Sequence, residues 1–222
     1  MENSKYPRTL HLDFSPEIHS DDKVINMNDF NNNLLNKEII LTEKYDGENS
    51  CLKPGEGVFA RSHSAPNFNP WSDWLKKQYY DKLYLLNENY WYFGENLYAI
   101  HSIKYDNLDT YFYIFHIYDK INKIWLSFED MKEEAERVGF KTVKVIFKGV
   151  FKTSKELEKF LLVEIKKPSA LGKEKEGFVL RTAGSFKKEE FSKHMAKYVR
   201  KGHVQTDKHW RENWKIAPLK KD

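Results

Sequence analysis

The chain has 222 residues, 40% of them apolar and 32% charged, which is typical of one soluble globular domain with a sizeable core. No stretch approaches the roughly 18 consecutive apolar residues of a membrane helix, and no signal-peptide core follows the charged start, so we expect a cytoplasmic protein. The single Cys51 excludes an internal disulfide and a cysteine-rich zinc site. A net charge of +4 is too small to indicate nucleic-acid binding, whereas the 15% of aromatic residues suit a β-rich core.

No internal repeat, low-complexity tract or linker divides the sequence, which predicts one continuous domain over residues 1–222. Residues 1–37 are polar, and Pro7, Pro16 and the asparagines at 31–33 interrupt any period. We therefore expect residues 1–37 to form an irregular entry segment that packs on the rest.

The first predicted elements are two strands and a helix. Residues 38–45 are rich in β-branched side chains and residues 57–61 follow a Pro-Gly turn, so we expect them to be neighbouring antiparallel strands. Residues 70–83 begin with proline and carry Trp71 and Leu75 at helical spacing, which predicts a helix on the surface of the sheet.

Further strands and two capped helices follow in the chain. Ser127 and Thr153 each precede a helical pattern with an acidic residue three positions later, so helices are expected at about 127–138 and 153–163. The predicted strands of this half are residues 90–99, 111–118, 124–126, 142–150, 176–181 and 195–200. Because turns outnumber crossover helices, these elements predict an α+β domain built on antiparallel sheets with flanking helices.

The most distinctive local motif is Lys44-x-Asp46-Gly47, a lysine at a strand end beside a glycine turn. Alone, such a short motif is more often a hairpin with a solvated lysine. Four more motifs follow in order, namely FGENLY at 93–98, FYIFHIYD at 112–119, EGFVLR at 176–181 and KYVR at 197–200.

In this order the five motifs resemble those of the covalent nucleotidyltransferase superfamily, which contains ATP-dependent DNA and RNA ligases and mRNA capping enzymes. They are most similar to RNA ligases, and the strings at 92–103 and 197–210 resemble compact bacterial and viral members. The resemblance spans nearly the whole chain, including residues 6–9 and the pair Asp21-Asp22. It implies a ligase-type adenylyltransferase domain without an OB-fold domain, since only 12 residues follow Trp210.

The resemblance makes Lys44 the nucleophile that becomes lysyl-AMP. A lysine that attacks the α-phosphorus of ATP must lose its proton, so we expect neighbouring cations or a bound metal to lower its pKa. The resemblance further places Glu43 near the adenine, and it implies that Asn49 positions the phosphates of the adenylate during sealing. Arg61 is expected to contact the adenylate or the 3′-OH strand, because a guanidinium suits phosphate.

Two motifs are expected to bind the nucleoside part of ATP. The resemblance assigns Glu95 to the ribose or to a metal beside it. It assigns Phe115 to stacking on the adenine, with Phe112 as the next choice. Strand alternation predicts Tyr113, Phe115 and Ile117 on one face, a pattern that a packed core strand also explains. The neighbouring His116 stands where phage RNA ligases often carry aspartate.

The last two motifs are expected to bind metal and phosphate. Glu176 is the predicted metal ligand, because Mg²⁺ prefers few carboxylates together with phosphate oxygens. The resemblance assigns Arg181 to the nucleotide phosphates and Lys197 to the α-phosphate. Many ligases have Lys-x-Lys here, so Arg200 is the candidate second cation, although a bulge would be needed to aim both side chains inward.

The C-terminal fifth of the chain is locally basic, which suits RNA phosphates, although a solvated face explains it as well. The cations are Lys187, Lys188, Lys193, Lys197, Arg200, Lys201 and Lys208. His203 and His209 lack a third convergent ligand, so we do not expect a zinc site there.

The sequence therefore predicts an ATP-dependent RNA ligase that joins 3′-OH and 5′-phosphate ends through lysyl-AMP and AppRNA. Expected cofactors are ATP and Mg²⁺, with Mn²⁺ as a substitute. Expected partners are RNA ends and an end-healing kinase or phosphatase, in the cytoplasm of the cell or of a viral host, with no membrane. The alternatives are a DNA-joining or nick-sealing ligase, and a catalytically silent nucleic-acid binding module, which the joint presence of Lys44, Glu95, Glu176 and Lys197 disfavours.

Overall fold

The computed structural model describes residues 5–20, 22–61, 65–202 and 210–220. The strands in this part of the chain are β1 (Leu10–His11), β2 (Ile39–Lys44), β3 (Glu48–Lys53), β4 (Gly57–Ala60), β5 (Tyr90–Asn96), β6 (Phe112–Asp119), β7 (Ile124–Trp125), β8 (Lys141–Thr142), β9 (Val145–Gly149), β10 (Gly177–Thr182), β11 (Phe186–Lys187) and β12 (Met195–Val199). The α-helices are α1 (Met27–Asn33), α2 (Asp73–Lys82), α3 (Phe128–Arg137), α4 (Ser154–Glu164) and α5 (Phe191–His194).

The strands form two mainly antiparallel sheets. A five-stranded sheet has the order β1-β12-β10-β2-β9, and a seven-stranded sheet has the order β11-β7-β6-β5-β3-β4 with β8 added beside β6. Within these sheets the parallel pairs are β1 with β12 and β6 with β8. The predicted α+β class with antiparallel sheets and flanking helices is confirmed. None of the helices in the described ranges is long and apolar enough to cross a membrane.

The expected pairing of residues 38–45 with residues 57–61 is wrong. β2 pairs with β9 and β10, whereas β4 pairs with β3, which belongs to the other sheet. The chain changes sheets at Gly47, where a Cβ atom would lie 2.6 Å from the carbonyl oxygen of Asn96. No strand was predicted for β3, because its first residues are polar and nearly all of its side chains are buried, so no alternation is visible.

The helices cover the outer faces of the two sheets. Leu34 of the stretch after α1 and Leu161 of α4 pack with Leu41 and Phe178 against the five-stranded sheet. Leu75 of α2 and Met131 of α3 share a second core with Tyr92 and Ile114 of the seven-stranded sheet. A third core lies between the sheets, and the rest of their inner faces lines a cleft.

The capped helices begin where the sequence predicts. The hydroxyl of Ser127 accepts a hydrogen bond from Asp130 N at 3.1 Å, and that of Thr153 accepts one from Glu156 N at 3.2 Å. Residues 70–83 contain a short 3₁₀ turn followed by α2, as expected for a helix.

The entry segment is more regular than expected. Within 1–37, β1 pairs with β12, and α1 is capped by the side chain of Asn26. The asparagine-rich sequence of α1 shows no helical pattern of apolar residues. The helix packs on the core through one fully buried residue, Phe30. That residues 1–222 form a single domain stays a prediction.

A bulge in β6 changes which side chains share a face. Phe93 pairs with His116 and Gly94 with Ile114, so Phe115 is the extra residue between them. Tyr113 and Ile117 consequently lie in different cores, and the expectation that they share a face is wrong.

Candidate active site

The inner faces of the two sheets enclose a cleft of about 680 Å³. Most of the residues predicted to bind ATP or RNA line it, and they come from both sheets: Glu43, Lys44, Asn49, Arg61, Glu95, Phe115, Arg181 and Lys197. The α+β fold thus brings together motifs that are far apart in the sequence.

Lys44 and Glu176 form an ion pair at the end of the β2–β10 ladder. Lys44 pairs in register with Gly177, and its Nζ atom lies 2.7 Å from Oε2 of Glu176. Gly177 permits this arrangement, since a Cβ atom there would lie 2.0 Å from the carbonyl oxygen of Tyr198 on β12. The side chain of Glu176 is 6% exposed and that of Lys44 is 26% exposed, so the pair lies at the wall of the cleft with its lysine accessible.

The surroundings of Lys44 favour its charged form. Burial lowers the pKa of the Lys44 ammonium, but the carboxylates of Glu176 and Glu95 outweigh burial and raise it. The sequence-based expectation was the reverse, a pKa lowered by neighbouring cations or metal. The protein alone therefore favours the protonated form of the Lys44 amine.

Glu95 is the second acidic residue beside Lys44. Its Oε1 atom accepts a hydrogen bond from Gly47 N at 3.1 Å. Burial raises the pKa of Glu95 to about 8, an effect that Lys44 opposes and Glu176 reinforces. Glu176 is buried and Glu95 is partly buried, and two such carboxylates that disfavour their charge suit a divalent cation. No group of three or more His, Cys, Asp or Glu side chains in the described ranges could hold a metal, so phosphate oxygens would have to complete the ligand set.

Asp46 fixes the turn that follows Lys44. Its Oδ2 atom accepts hydrogen bonds from Ser102 N at 2.8 Å and from Ile103 N at 2.7 Å. Its own N–H donates to the Tyr105 hydroxyl at 2.9 Å. The aspartate of the Lys-x-Asp-Gly motif thus has a structural partner, the loop after β5, which the sequence did not identify.

Glu43 lies next to Lys44 but its carboxylate is held by a loop. Oε2 of Glu43 accepts a hydrogen bond from Ala170 N at 3.1 Å, and the residue is 1% exposed. Alternation along β2 directs the side chains of Glu43 and Lys44 to opposite faces. A contact between Glu43 and adenine stays a prediction.

Phe115 is the aromatic residue of β6 that reaches the cleft. Its ring lies 5.3 Å from that of Tyr6, which also lines the cleft. The next choice, Phe112, is fully buried in the core of the seven-stranded sheet, so it is not available for stacking. The bulge gives Phe115 this position, and its stacking on adenine stays a prediction.

Arg181 lies on the floor of the cleft. Its guanidinium donates to three backbone carbonyls, those of Thr182 at 3.0 Å, Leu126 at 2.7 Å and Gly184 at 3.2 Å. Burial lowers the pKa of Arg181 to about 10. Arg181 is 2% exposed. Its buried Nη1 atom has no hydrogen-bond partner in the described part of the chain, so Nη1 is the atom left for the predicted phosphate contact.

Lys197 belongs to a network that the sequence revealed only in part. Its Nζ atom lies 3.8 Å from Oδ1 of Asp22, and the same oxygen lies 3.2 Å from Nε2 of His11. Burial and the charge of Lys44 lower the pKa of Lys197. Asp22 was part of the family resemblance, whereas His11 carried no signal, because only the pairing of β1 with β12 brings it beside Lys197.

Asn49 and Arg61 lie side by side at the mouth of the cleft. Ser50 of β3 pairs with Ala60 of β4 in an antiparallel ladder. The next two residues opposite each other are therefore Asn49, before Ser50, and Arg61, after Ala60. Oδ1 of Asn49 is buried with no hydrogen-bond partner among the described residues. A ligand can therefore supply that partner.

Arg200 does not reach the cleft. Its Nε donates to the carbonyl of Lys175 at 2.7 Å and its Nη2 to Glu174 at 2.5 Å. β12 ends at Val199, and no bulge turns Arg200 inward, so its assignment as the second cation of the last motif is corrected. Three basic residues considered from the sequence lie outside the described residues, namely Lys208, His203 and His209. Asp21 of the acidic pair also lies outside them.

Comparison with known proteins identifies the family. Residues 37–199 match the RNA ligase family, and the chain belongs to it. No curated protein sequence matches the chain. Solved structures with the same fold include those of Naegleria gruberi RNA ligase, among them a variant with ATP and Mn (18% identity, TM-score 0.55, 76% of this chain and 51% of that one) and the enzyme with PPi (19% identity, TM-score 0.58, 77% and 52%). The chain spans about half the length of these relatives.

Proposed function

We propose that this chain is an ATP-dependent RNA ligase that joins 3′-OH and 5′-phosphate ends. The observation that carries the proposal is the Lys44–Glu176 ion pair at 2.7 Å, beside Glu95, in the cleft of a chain that belongs to the RNA ligase family. A lysine close to two carboxylates suits nucleotidyl transfer, because the same carboxylates that hold the lysine charge can also hold a cation with bound phosphate.

In the first step, the neutral amine of Lys44 attacks the α-phosphorus of ATP. An N–P bond forms, the bond to the bridging oxygen breaks, and pyrophosphate leaves. Glu176 and Glu95 would hold Mg²⁺ or Mn²⁺, which neutralises phosphate charge in such reactions. Burial and the nearby charge of Lys44 both lower the pKa of Lys197. Lys197 would bind the α-phosphate.

The second and third steps transfer AMP from Lys44 to an RNA 5′-phosphate and then join the ends. A 5′-phosphate oxygen attacks the lysyl-AMP phosphorus, which gives AppRNA and returns the amine. The 3′-OH then attacks the RNA phosphorus of AppRNA, and AMP leaves. Asn49 and Arg61 would position the adenylate and the 3′-OH strand, and Phe115 would stack on the adenine.

Ligands of the structural neighbours support ATP and a divalent metal. Naegleria gruberi RNA ligase was solved with ATP and Mn and, as another variant, with AMP and Mn. The predicted cytoplasmic location and an end-healing kinase or phosphatase partner remain parts of the proposal.

The test is to incubate the full chain with α-labelled ATP and Mg²⁺, and then with 5′-phosphorylated RNA. We expect an AMP-labelled protein, transfer of the label to RNA, and a joined product. Joining of DNA 3′-OH ends in place of RNA ends would favour the DNA-joining alternative. A folded chain that binds RNA but takes up no label would favour the silent binding module.

A further inference from the structure

The entry segment lies beside the strand that carries Lys197. His11 of β1 pairs in register with Lys197 of β12, and Leu12 N donates to the carbonyl of Lys197 at 2.8 Å. The chain then returns along the other edge of β1. There, His11 N donates to the carbonyl of Lys23 and Ile25 N donates to the carbonyl of His11, both at 2.8 Å. The residues just before this return therefore lie close to the last motif.

The carboxylate of Asp22 is held from two directions. Its Oδ2 atom accepts a hydrogen bond from His19 N at 3.1 Å, and its Oδ1 atom lies 3.2 Å from Nε2 of His11. Nδ1 of His11 lies 3.2 Å from the hydroxyl of Ser15, and that hydroxyl accepts a hydrogen bond from Val199 N at 2.9 Å. The position of Asp22 is therefore fixed relative to β12.

His11 leaves the charge of Asp22 available. Burial lowers the pKa of His11 to about 4, and the charge of Lys197 adds to this effect, so the imidazole is neutral near pH 7. Burial opposes the charge of Asp22, but the N–H of His19 and the charge of Lys197 help to lower the pKa of its carboxyl below the usual value. The neutral imidazole can therefore orient the carboxylate without neutralising it.

Lys197 needs a negative partner because of where it lies. Its side chain is 20% exposed, and burial and the charge of Lys44 both lower its pKa, whereas Asp22 opposes them. The other carboxylate that opposes them, that of Glu176, is already paired with Lys44 at 2.7 Å. Asp22 Oδ1 and Lys197 Nζ are 3.8 Å apart, longer than a direct hydrogen bond. Asp22 thus attracts the ammonium without using up its N–H donors.

We infer that Asp22 is a positioning residue, whose carboxylate directs the ammonium of Lys197 toward the phosphate that Lys197 is proposed to bind. His11 and the backbone of His19 hold this carboxylate in place. The inference deepens the proposed ligase function and rests on it for the phosphate contact of Lys197. Asp22 acts through Lys197 and needs no contact with the nucleotide. Both His11 and Asp22 precede residues 37–199, which match the RNA ligase family, so the entry segment contributes to the site from outside the matched part.

The test compares the binding of AMP and of adenosine to the full chain by isothermal titration calorimetry. The two ligands differ only in the phosphate, and neither can label Lys44. We expect Asp22→Asn to weaken AMP binding about tenfold, which corresponds to about 1.4 kcal/mol, and to leave adenosine binding unchanged. Asparagine is close in shape and keeps an acceptor for His19 N, so the variant loses the charge alone. Asp13→Asn is the matched control, because Asp13 is an exposed residue of the same segment outside the cleft lining.

A double-mutant cycle decides whether Asp22 acts through Lys197. Lys197→Gln removes the ammonium and should weaken AMP binding at least as much as Asp22→Asn. Adding Asp22→Asn to Lys197→Gln should then weaken AMP binding no further, because the group that Asp22 positions is already gone. Additive losses would overturn the inference, and so would an equal loss of adenosine binding or unchanged AMP binding in Asp22→Asn.

A variant of His11 tests how Asp22 is held. His11→Phe keeps a ring in this place but removes the nitrogen that faces Asp22, so we expect a smaller loss of AMP binding and again no loss of adenosine binding. Unchanged AMP binding by folded His11→Phe would overturn the part assigned to His11. None of these measurements depends on covalent AMP, so a chain that takes up no label would refute the ligase proposal without deciding this inference.

Discussion

Nζ of Lys44 lies 2.7 Å from Oε2 of Glu176. Glu176 directly precedes Gly177, the residue of β10 that pairs with Lys44. The pair places a cation and its counter-ion at the end of two hydrogen-bonded strands. Glu176 raises the pKa of Lys44, and Lys44 in turn opposes the rise that burial causes in the pKa of Glu176. A ligand that competes for Glu176 would thus also lower the pKa of Lys44.

Replacing Glu176 should separate these two effects. Glu176→Gln removes the counter-ion, so the pKa of Lys44 should fall, but a neutral amide is a poor metal ligand. We expect adenylylation at saturating ATP to fall at least about tenfold in both Glu176→Ala and Glu176→Gln. The measurement is the initial rate of AMP labelling as a function of Mg²⁺ concentration.

Glu174→Gln is the control for this change. Glu174 is an exposed neighbour that pairs with Arg200 outside the cleft, so its loss changes net charge equally. Full labelling by Glu176→Gln would contradict a role as charged metal ligand and would leave Glu176 with neutral hydrogen bonding alone.

Glu95 should make the fold less stable at alkaline pH. Its pKa is raised by burial from 4.5 to about 8, so folding favours the protonated carboxyl. The stabilisation from that proton is complete below about pH 4.5 and is lost as pH rises through about 8. Glu95→Gln should therefore exceed the wild type in free energy of unfolding by ~1–2 kcal/mol near pH 8.

Urea denaturation between acidic and mildly alkaline pH gives the answer, with Glu133→Gln on the exposed face of α3 as control. The Glu95→Gln variant should show a flatter dependence on pH than either other protein. An identical slope in all three would mean that Glu95 is charged at little cost in the folded state.

Asn49 and Arg61 should matter more for sealing than for adenylylation. They are proposed to contact the adenylate and the 3′-OH strand, so their alanine variants should join pre-adenylated RNA less well and still form lysyl-AMP. Both partial reactions are measured on each variant. Equal losses in the two reactions would contradict the assignment to the RNA end, and a folding defect would also lower both.

Gly177 should tolerate no side chain. Alanine would bring its Cβ atom 2.0 Å from the carbonyl oxygen of Tyr198, and β12 would have to shift together with Lys197. We expect Gly177→Ala to lower the free energy of unfolding by ~1–3 kcal/mol and to reduce labelling. Both quantities are measured by urea denaturation and AMP labelling. At Gly184 a Cβ atom would meet nothing within 4 Å, so Gly184→Ala is the matched control.

The elements with strong local signals were predictable from the sequence. Ser127 and Thr153 cap their helices because a hydroxyl and a free backbone N–H lie close in sequence. β3 was missed, because its polar residues are buried by tertiary contacts: Glu48 is satisfied by Asn67 and Trp71, which lie far along the chain. No local pattern encodes such partners.

The site also contains both residues with a local sequence signal and residues placed only by tertiary contacts. Motif order placed Lys44, Glu95 and Lys197 in one cleft, since each lies on a strand with a recognisable pattern. Arg200 could not be judged, because a shift of one residue at the end of β12 decides which way it points. Arg211 had no signal at all, since hydrogen bonds of the C-terminal segment to the loop after β5 bring it to the cleft.

Lys44 is proposed to take up AMP from ATP, and mapping the adenylated residue examines that step itself. The full chain is incubated with ATP and Mg²⁺, digested, and analysed by mass spectrometry. We predict that the peptide containing Lys44 gains the mass of one AMP, and that folded Lys44→Ala and Lys44→Arg variants gain none, because a guanidinium cannot supply a neutral amine. AMP on another residue, or persistent labelling of Lys44→Arg, would contradict the account.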